Sequence, residues 1–222
     1  MNYIKSLIVK FENELRANAI PMFRGAVIAI DENKDDILFH SHDGEELRYA
    51  YPLIQYKTIN GRAAIVALDA GTDSVARMLY PYERELRVGN VTETYVISET
   101  LACSTNVDFV KEPVKYSLRN WMPLNKENYQ AYTSTKDMVE QLAILKRMLI
   151  GNILSFAKGI GLHLDDELKI QMINSEERRP VMYKNQKMMA FNVEFTSNLR
   201  LPQYIGLGKG VSVGYGVARE MK

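Results

Sequence analysis

Ile54-Gln55-Tyr56-Lys57-Thr58-Ile59-Asn60-Gly61-Arg62-Ala63-Ala64-Ile65-Val66-Ala67-Leu68 sets two apolar runs on either side of Asn-Gly, the first being the end of a Tyr-, Leu- and Ile-rich stretch that begins at Leu47. Asn and Gly both tolerate the positive φ angles of a tight turn, so this arrangement predicts a β-hairpin. Upstream, Ile4–Phe11 reads as a strand, and Pro21 opens a helix whose apolar face is Phe23, Ala26, Val27 and Ile30. Downstream, Gly71-Thr72-Asp73 leads into a helix over Ser74–Leu79, with Thr72 or Asp73 as its cap. Strand-like sequence returns at Val91–Leu101. The order is strand, helix, two hairpin strands, helix, strand.

That order is the ferredoxin-like one, and the second half repeats its outline. Val114–Leu124 reads as a strand containing the single Trp121. Asp137–Phe156 is the best helix in the chain, with Met138, Leu142, Leu145, Leu149 and Leu154 among its apolar positions and Gly159 and Gly161 as its stop. Leu168–Ile173 and Met188–Phe195 form a hairpin around a basic bend at Glu176–Lys187, and a last strand lies at Gly214–Arg219. The sequence therefore predicts an α+β protein of two tandem ferredoxin-like (RRM-like, β-α-β-β-α-β) domains, 1–104 and 105–222, without any repeat at the level of residues.

The 222 residues suffice for two such domains, and 46% hydrophobic with 25% charged residues is ordinary for a protein with a packed core. No apolar run approaches the roughly 20 residues of a membrane helix, and the first residues lack a signal peptide's apolar stretch. A lone Cys103 cannot form an internal disulfide. These features point to a cytoplasmic protein without a membrane partner. Residues 1–104 carry 11 Lys and Arg against 15 Asp and Glu, whereas residues 105–222 carry 17 against 12. Any phosphate-binding surface is therefore expected mostly on the second half.

Within that half, Gly206-Leu207-Gly208-Lys209-Gly210-Val211-Ser212-Val213-Gly214-Tyr215-Gly216 holds five glycines in 11 residues. Glycine lets the backbone approach a ligand closely, so successive N–H groups can face a phosphate, and Lys209 adds charge. A dinucleotide fingerprint should follow a first strand and open a helix, and a P-loop needs Gly-Lys-Ser/Thr before a helix. This segment does neither, because it runs into strand-like sequence. A bulged connection before a last strand is the structural alternative.

The stretch from Leu201-Pro202 through Tyr204-Ile205-Gly206-Leu207-Gly208-Lys209-Gly210 to Gly214-Tyr215-Gly216 resembles the C-terminal signature of CRISPR repeat-RNA endoribonucleases, the Cas six family of the repeat-associated mysterious protein superfamily. Pro21-Met22-Phe23-Arg24-Gly25-Ala26, and Leu38-Phe39-His40-x-His42-Asp43-Gly44 leading to Leu47-Arg48-Tyr49-x-Tyr51-Pro52-Leu53-Ile54-Gln55-Tyr56, resemble the N-terminal domain of its b type. The resemblance departs in one place: many members carry a basic residue later in the glycine-rich loop, where this chain has Val211-Ser212-Val213. It implies CRISPR repeat RNA as the partner, with other CRISPR effector subunits and a second copy of the chain as further partners, and no cofactor. The RNA-binding residues it implies are Gly206, Gly208, Lys209, Gly210, Ser212, Gly214, Tyr215 and Gly216. Related members of the superfamily bind RNA without cutting it, so a non-catalytic RNA-binding subunit is the alternative.

Of three histidines, two form His40-Ser41-His42. On an extended segment residues i and i+2 face one side, and imidazoles titrate near neutrality. One can take the proton of an RNA 2′-OH while the other protonates the departing 5′-oxygen, giving a 2′,3′-cyclic phosphate and a 5′-OH without a metal. Tyr49 and Tyr51 also share a face, and the resemblance favours a tyrosine near this spacing, Tyr49, as a hydrogen-bond donor. Lys34 is the candidate cation for the pentacovalent phosphate, with Arg48 as an alternative. His40-x-His42 also fits a metal pair completed by Asp43 or Glu45, or plain loop composition. His163 reads as a solvated residue after the long helix.

Overall fold

The computed structural model describes residues 2–30, 42–43, 46–47, 51–178 and 180–221. It divides into two compact units, one built from Tyr3–Thr105 together with Ser212–Gly214, the other from Asn106–Val211 with the chain's last residues. None of the described helices is long and apolar enough to cross a membrane.

In the N-terminal unit β1 (Tyr3–Glu14) and α1 (Ile20–Ala29) precede a two-residue pair, β2 (His42–Asp43) with β3 (Glu46–Leu47). Then come β4 (Ile54–Ile59), β5 (Arg62–Leu68), α2 (Ala70–Arg77), β6 (Glu83–Val88) and β7 (Val91–Asn106). The main sheet has the order β4-β5-β1-β7-β6. Leaving out the edge strand β6, this is the ferredoxin-like order, in which the first strand lies between the third and the fourth. The expected hairpin forms where the sequence placed it. Asn60 and Gly61 have φ of 53° and 79°, and Ile59 faces Arg62 across the turn, as a twisted two-residue turn requires.

The core of this unit is aromatic. Pro21 sits in the first turn of α1, and Ile20, Phe23, Ala26 and Val27 recur at helical spacing and are buried. Phe23 stacks on Tyr95 at 5.3 Å and meets Phe11 and Tyr56 edge-on at 5.7 and 6.0 Å, the offset and T-shaped geometries that aromatic quadrupoles favour. The helix expected at Ser74–Leu79 begins earlier, at Ala70. Neither Thr72 nor Asp73 caps it; the cap position is Asp69 with φ 45°, and Thr72 Oγ1 donates back to the Asp69 carbonyl. β6 went unread in the sequence because only Leu86 among its six residues is buried.

The C-terminal unit runs β8 (Phe109–Trp121), α3 (Lys126–Ser134), α4 (Met138–Gly159), β9 (Ile170–Glu177), β10 (Val181–Tyr183), β11 (Gln186–Met188), β12 (Phe191–Leu199) and β13 (Val217–Glu220). Its sheet order β13-β8-β12-β9 is again ferredoxin-like. The outline differs from expectation in one element: no α-helix joins β12 to β13, and residues 200–216 carry only a 3-10 turn at Val211–Val213. The basic bend between β9 and β12 contains the small hairpin β10–β11. α4 starts on the Asp137 cap, whose carboxylate accepts from the Val139 N–H. Its buried face is Leu145, Leu149, Ile153, Phe156 and Ala157, whereas Met138 and Leu154 are exposed. Trp121 donates to Asn152 of α4 at 2.9 Å and meets Phe191 edge-on, so one buried polar bond fixes the helix against the sheet.

Candidate nucleic-acid interface

The glycine-rich segment is a packed connection. At its start the Leu201 N–H donates to the buried Tyr116 hydroxyl at 2.9 Å. Burial pushes the Tyr116 hydroxyl up to about 12, against the opposing effect of that backbone bond, so it stays protonated. Tyr204 N–H donates to the Ala218 carbonyl and Ala218 N–H to that of Ile205, while Gly206 bridges Val217. These bonds extend β13 by a short antiparallel pairing. Further on, the amides of Leu207, Lys209, Tyr215 and Gly216 donate to the carbonyls of Gly216, Met122, Gly210 and Asn120. Four of the loop amides are thus bonded to protein carbonyls, which narrows the expected phosphate cradle.

The glycines are required by close approach. Gly208, at φ 88°, would place a Cβ 2.9 Å from the Trp121 indole, and Gly210, at φ 70°, would place one 2.7 Å from the Tyr215 ring. At Gly216, φ 62°, a Cβ would collide with the Leu207 carbonyl. Positive φ and missing volume coincide, a combination only glycine satisfies. In the N-terminal unit, which includes Ser212–Gly214, Val213 packs against the aromatic core and a Cβ on Gly214 would lie 2.5 Å from Ile20.

Lys209 is half-buried, and its ammonium donates to the Leu124 carbonyl at 2.8 Å. One of its three N–H groups is therefore committed to the protein, and burial lowers its pKa. Tyr215 meets Tyr183 of β10 edge-on at 5.7 Å, with its hydroxyl 3.4 Å from the Met182 carbonyl. Burial first and the neighbouring Tyr183 second raise its pKa. Lys184, at the tip of the β10–β11 hairpin, lies 5.8 Å from the Tyr183 ring centre.

Of the expected catalytic residues, Lys34, His40 and Tyr49 lie outside the described residues, as do Glu45 and Arg48. His42 opens β2 and pairs with Leu47. Tyr51 is half-buried and its hydroxyl accepts from Gln55 at 2.9 Å, whereas Tyr56 belongs to the core. His163 has a 93% exposed side chain, 3.9 Å from Asp165, as expected for a solvated residue. Among the described residues no group of three or more His, Cys, Asp or Glu side chains is placed to hold a metal ion.

Two further features escaped the sequence reading. Lys57 is fully buried on β4 and its ammonium has no hydrogen-bond partner among the described residues. Arg119 and Arg219 stand on one exposed face of the C-terminal sheet, and only strand register could have revealed them.

Comparison with known proteins gives a consistent result. A family model described as the Cas6b N-terminal domain matches residues 2–106, and one described as the Cas6b C-terminal domain matches residues 108–221. A crystal structure of Cas6b superposes with a TM-score of 0.86 at 30% identity, covering 99% of this chain and 100% of that one. A crystal structure of the CRISPR RNA processing endoribonuclease Cas6b superposes with a TM-score of 0.74 at 27% identity over the same shares. An uncharacterised protein of Methanocaldococcus jannaschii is 35% identical over 104 residues, 46% of this chain and 69% of its own length.

Proposed function

The chain belongs to the Cas6b family of CRISPR RNA-processing endoribonucleases, and from that premise we propose that it cuts CRISPR repeat RNA by metal-independent attack of the RNA's own 2′-OH. The observation that carries the reading is that both halves match successive domains of one family, in which a CRISPR RNA processing endoribonuclease aligns over 99% of this chain. His40 and His42 serve as base and acid. The base removes the 2′-OH proton, the oxygen attacks the neighbouring phosphorus in line, and the acid protonates the departing 5′-oxygen. Lys34 balances charge on the pentacovalent phosphate and Tyr49 donates a hydrogen bond. The glycine-rich segment, Gly206, Gly208, Lys209, Gly210, Ser212, Gly214, Tyr215 and Gly216, holds the RNA backbone.

Incubating repeat RNA with the protein in EDTA tests this. Cleavage is expected to persist, to fall by roughly 10²–10⁴ with His40→Ala or His42→Ala, and to stop on a 2′-deoxy substrate that still binds. Intact RNA with retained binding would leave a non-catalytic RNA-binding subunit. Activity restored only by a divalent metal would make the histidine pair a metal site.

A further inference from the structure

β8 and β13 pair antiparallel, with Val217 opposite Arg119 and Arg219 opposite Ser117. Directly opposed residues share a face, and so do residues two apart on one strand. Ser117, Arg119, Val217 and Arg219 therefore lie on one side of the sheet, while Tyr116, Leu118 and Ala218 are buried on the other. Arg119 and Arg219 are diagonal neighbours, roughly 7–8 Å apart at the backbone, and both are exposed.

Of the acids near them, one is salt-bridged and the other is held by a neutral amide. Glu194 on this face pairs with Lys115 at 3.1 Å, and Glu220 accepts from Gln203 at 3.4 Å. Neither guanidinium has a hydrogen bond or an ion pair among the described residues. The two arginines line an open groove together with Gln203, Tyr204 and Glu220. Tyr204 sits at φ 61°, a conformation non-glycine residues avoid, and its N–H donates to the Ala218 carbonyl.

We propose that this groove is a second RNA-backbone site, distinct from the glycines of residues 206–216, in which Arg119 and Arg219 each hold a phosphate and Tyr204 stacks an unpaired base. The inference rests on RNA being the substrate. Two uncompensated guanidinium forks match phosphate oxygens in pairs, and an aromatic face beside a cationic track is how single-stranded RNA is held without reading its sequence. A carboxylate-rich peptide would use the charges and leave the ring idle.

The test is carried out in a His42→Ala chain, so that the RNA stays intact, by measuring repeat-RNA affinity as a function of salt with and without Arg119→Ala/Arg219→Ala. The double substitution is expected to weaken binding at least tenfold and to flatten the log–log salt slope by about 1.4–1.8, two phosphates at about 0.7–0.9 each. Arg119→Lys/Arg219→Lys keeps the slope and loses part of the affinity. Unchanged affinity and slope overturn the proposal, as does weaker binding at an unchanged slope, or loss of binding to an acidic peptide while RNA binding is unaffected. If repeat RNA binds neither the His42→Ala chain nor the unsubstituted one, both this site and the proposed function fall. If it binds, and the chain with His42 restored cuts, while the arginine substitutions change nothing, only the groove falls.

Discussion

The two units share one strand order and diverge in what they do with it. In the N-terminal unit every residue of Ala63–Leu68 is buried, and Ile54–Lys57 is buried on both faces. Ala63–Leu68 is made of Ala, Ile, Val and Leu, and Ile54–Lys57 buries Gln55, Tyr56 and Lys57 beside Ile54, so the sheet is scaffold. In the C-terminal unit β8 and β13 bury one face and expose Arg119 and Arg219 on the other. The connection before the last strand differs as well. The N-terminal unit uses α2, whose internal hydrogen bonds satisfy its backbone, whereas the C-terminal unit uses residues 200–216, whose amides are bonded to β8, β13 and the loop itself. Replacing a helix by a coil requires each backbone group to find a specific partner. The glycine density is the sequence trace of that requirement.

The sharpest way to break the comparison is to add one methyl group to each kind of turn. Gly216→Ala must displace the Leu207 backbone and adopt a left-handed conformation. The strain of about 1–2 kcal/mol adds to about 1–3 kcal/mol of overpacking, so denaturant unfolding should show a loss of about 2–5 kcal/mol. Gly61 has φ 79° but open space around its missing Cβ, so Gly61→Ala should cost about 1–2 kcal/mol from strain alone. Equal losses at the two positions would mean that the glycine-rich segment is as loosely held as an ordinary hairpin turn.

A slightly smaller effect is expected from the cation inside the scaffold sheet. Desolvation lowers the Lys57 pKa from 10.5 to about 7, so the unfolded chain binds its proton more tightly than the folded one. Stability should therefore rise with pH across the window from about 7 to 10.5 and be lowest below it. Lys57→Met removes the penalty and should stabilise the protein by about 2–4 kcal/mol at pH 7, flattening that rise. Unfolding curves at pH 6, 8 and 10 decide the matter: parallel pH profiles for the two proteins would show that Lys57 finds an unseen partner.

The same contrast explains what the sequence disclosed. Asn60-Gly61 was legible because the turn's dihedral demand selects those two residues. α4 was legible from its periodicity, although the face was misjudged at Met138 and Leu154, where an apolar residue lies on the solvent side. α3 was missed because only Tyr132 of its nine residues is buried, yet Asn125, whose side chain accepts from the Asn128 N–H, was an available start signal. The glycine-rich segment was legible as a feature, but its internal bonding was not, since Met122, Leu124 and Asn120 are about 85–95 residues away in sequence. Arg119 and Arg219 were invisible for the same reason: one hundred residues apart, they are joined only by strand register.

Lys209 separates support from recognition within the coil. Its ammonium is tied to the Leu124 carbonyl and has two further N–H groups. Lys209→Met should cost about 1 kcal/mol in stability from the lost bond and weaken RNA binding less than tenfold, with a salt slope shallower by under about one unit. Because one phosphate contact is the most a single ammonium can add to the slope, a change above one unit would mean that the substitution has disturbed neighbouring contacts. A slope left intact alongside the stability loss would make Lys209 a strut for the connection that follows β8, and the affinity of the C-terminal unit would then have to come from other cations.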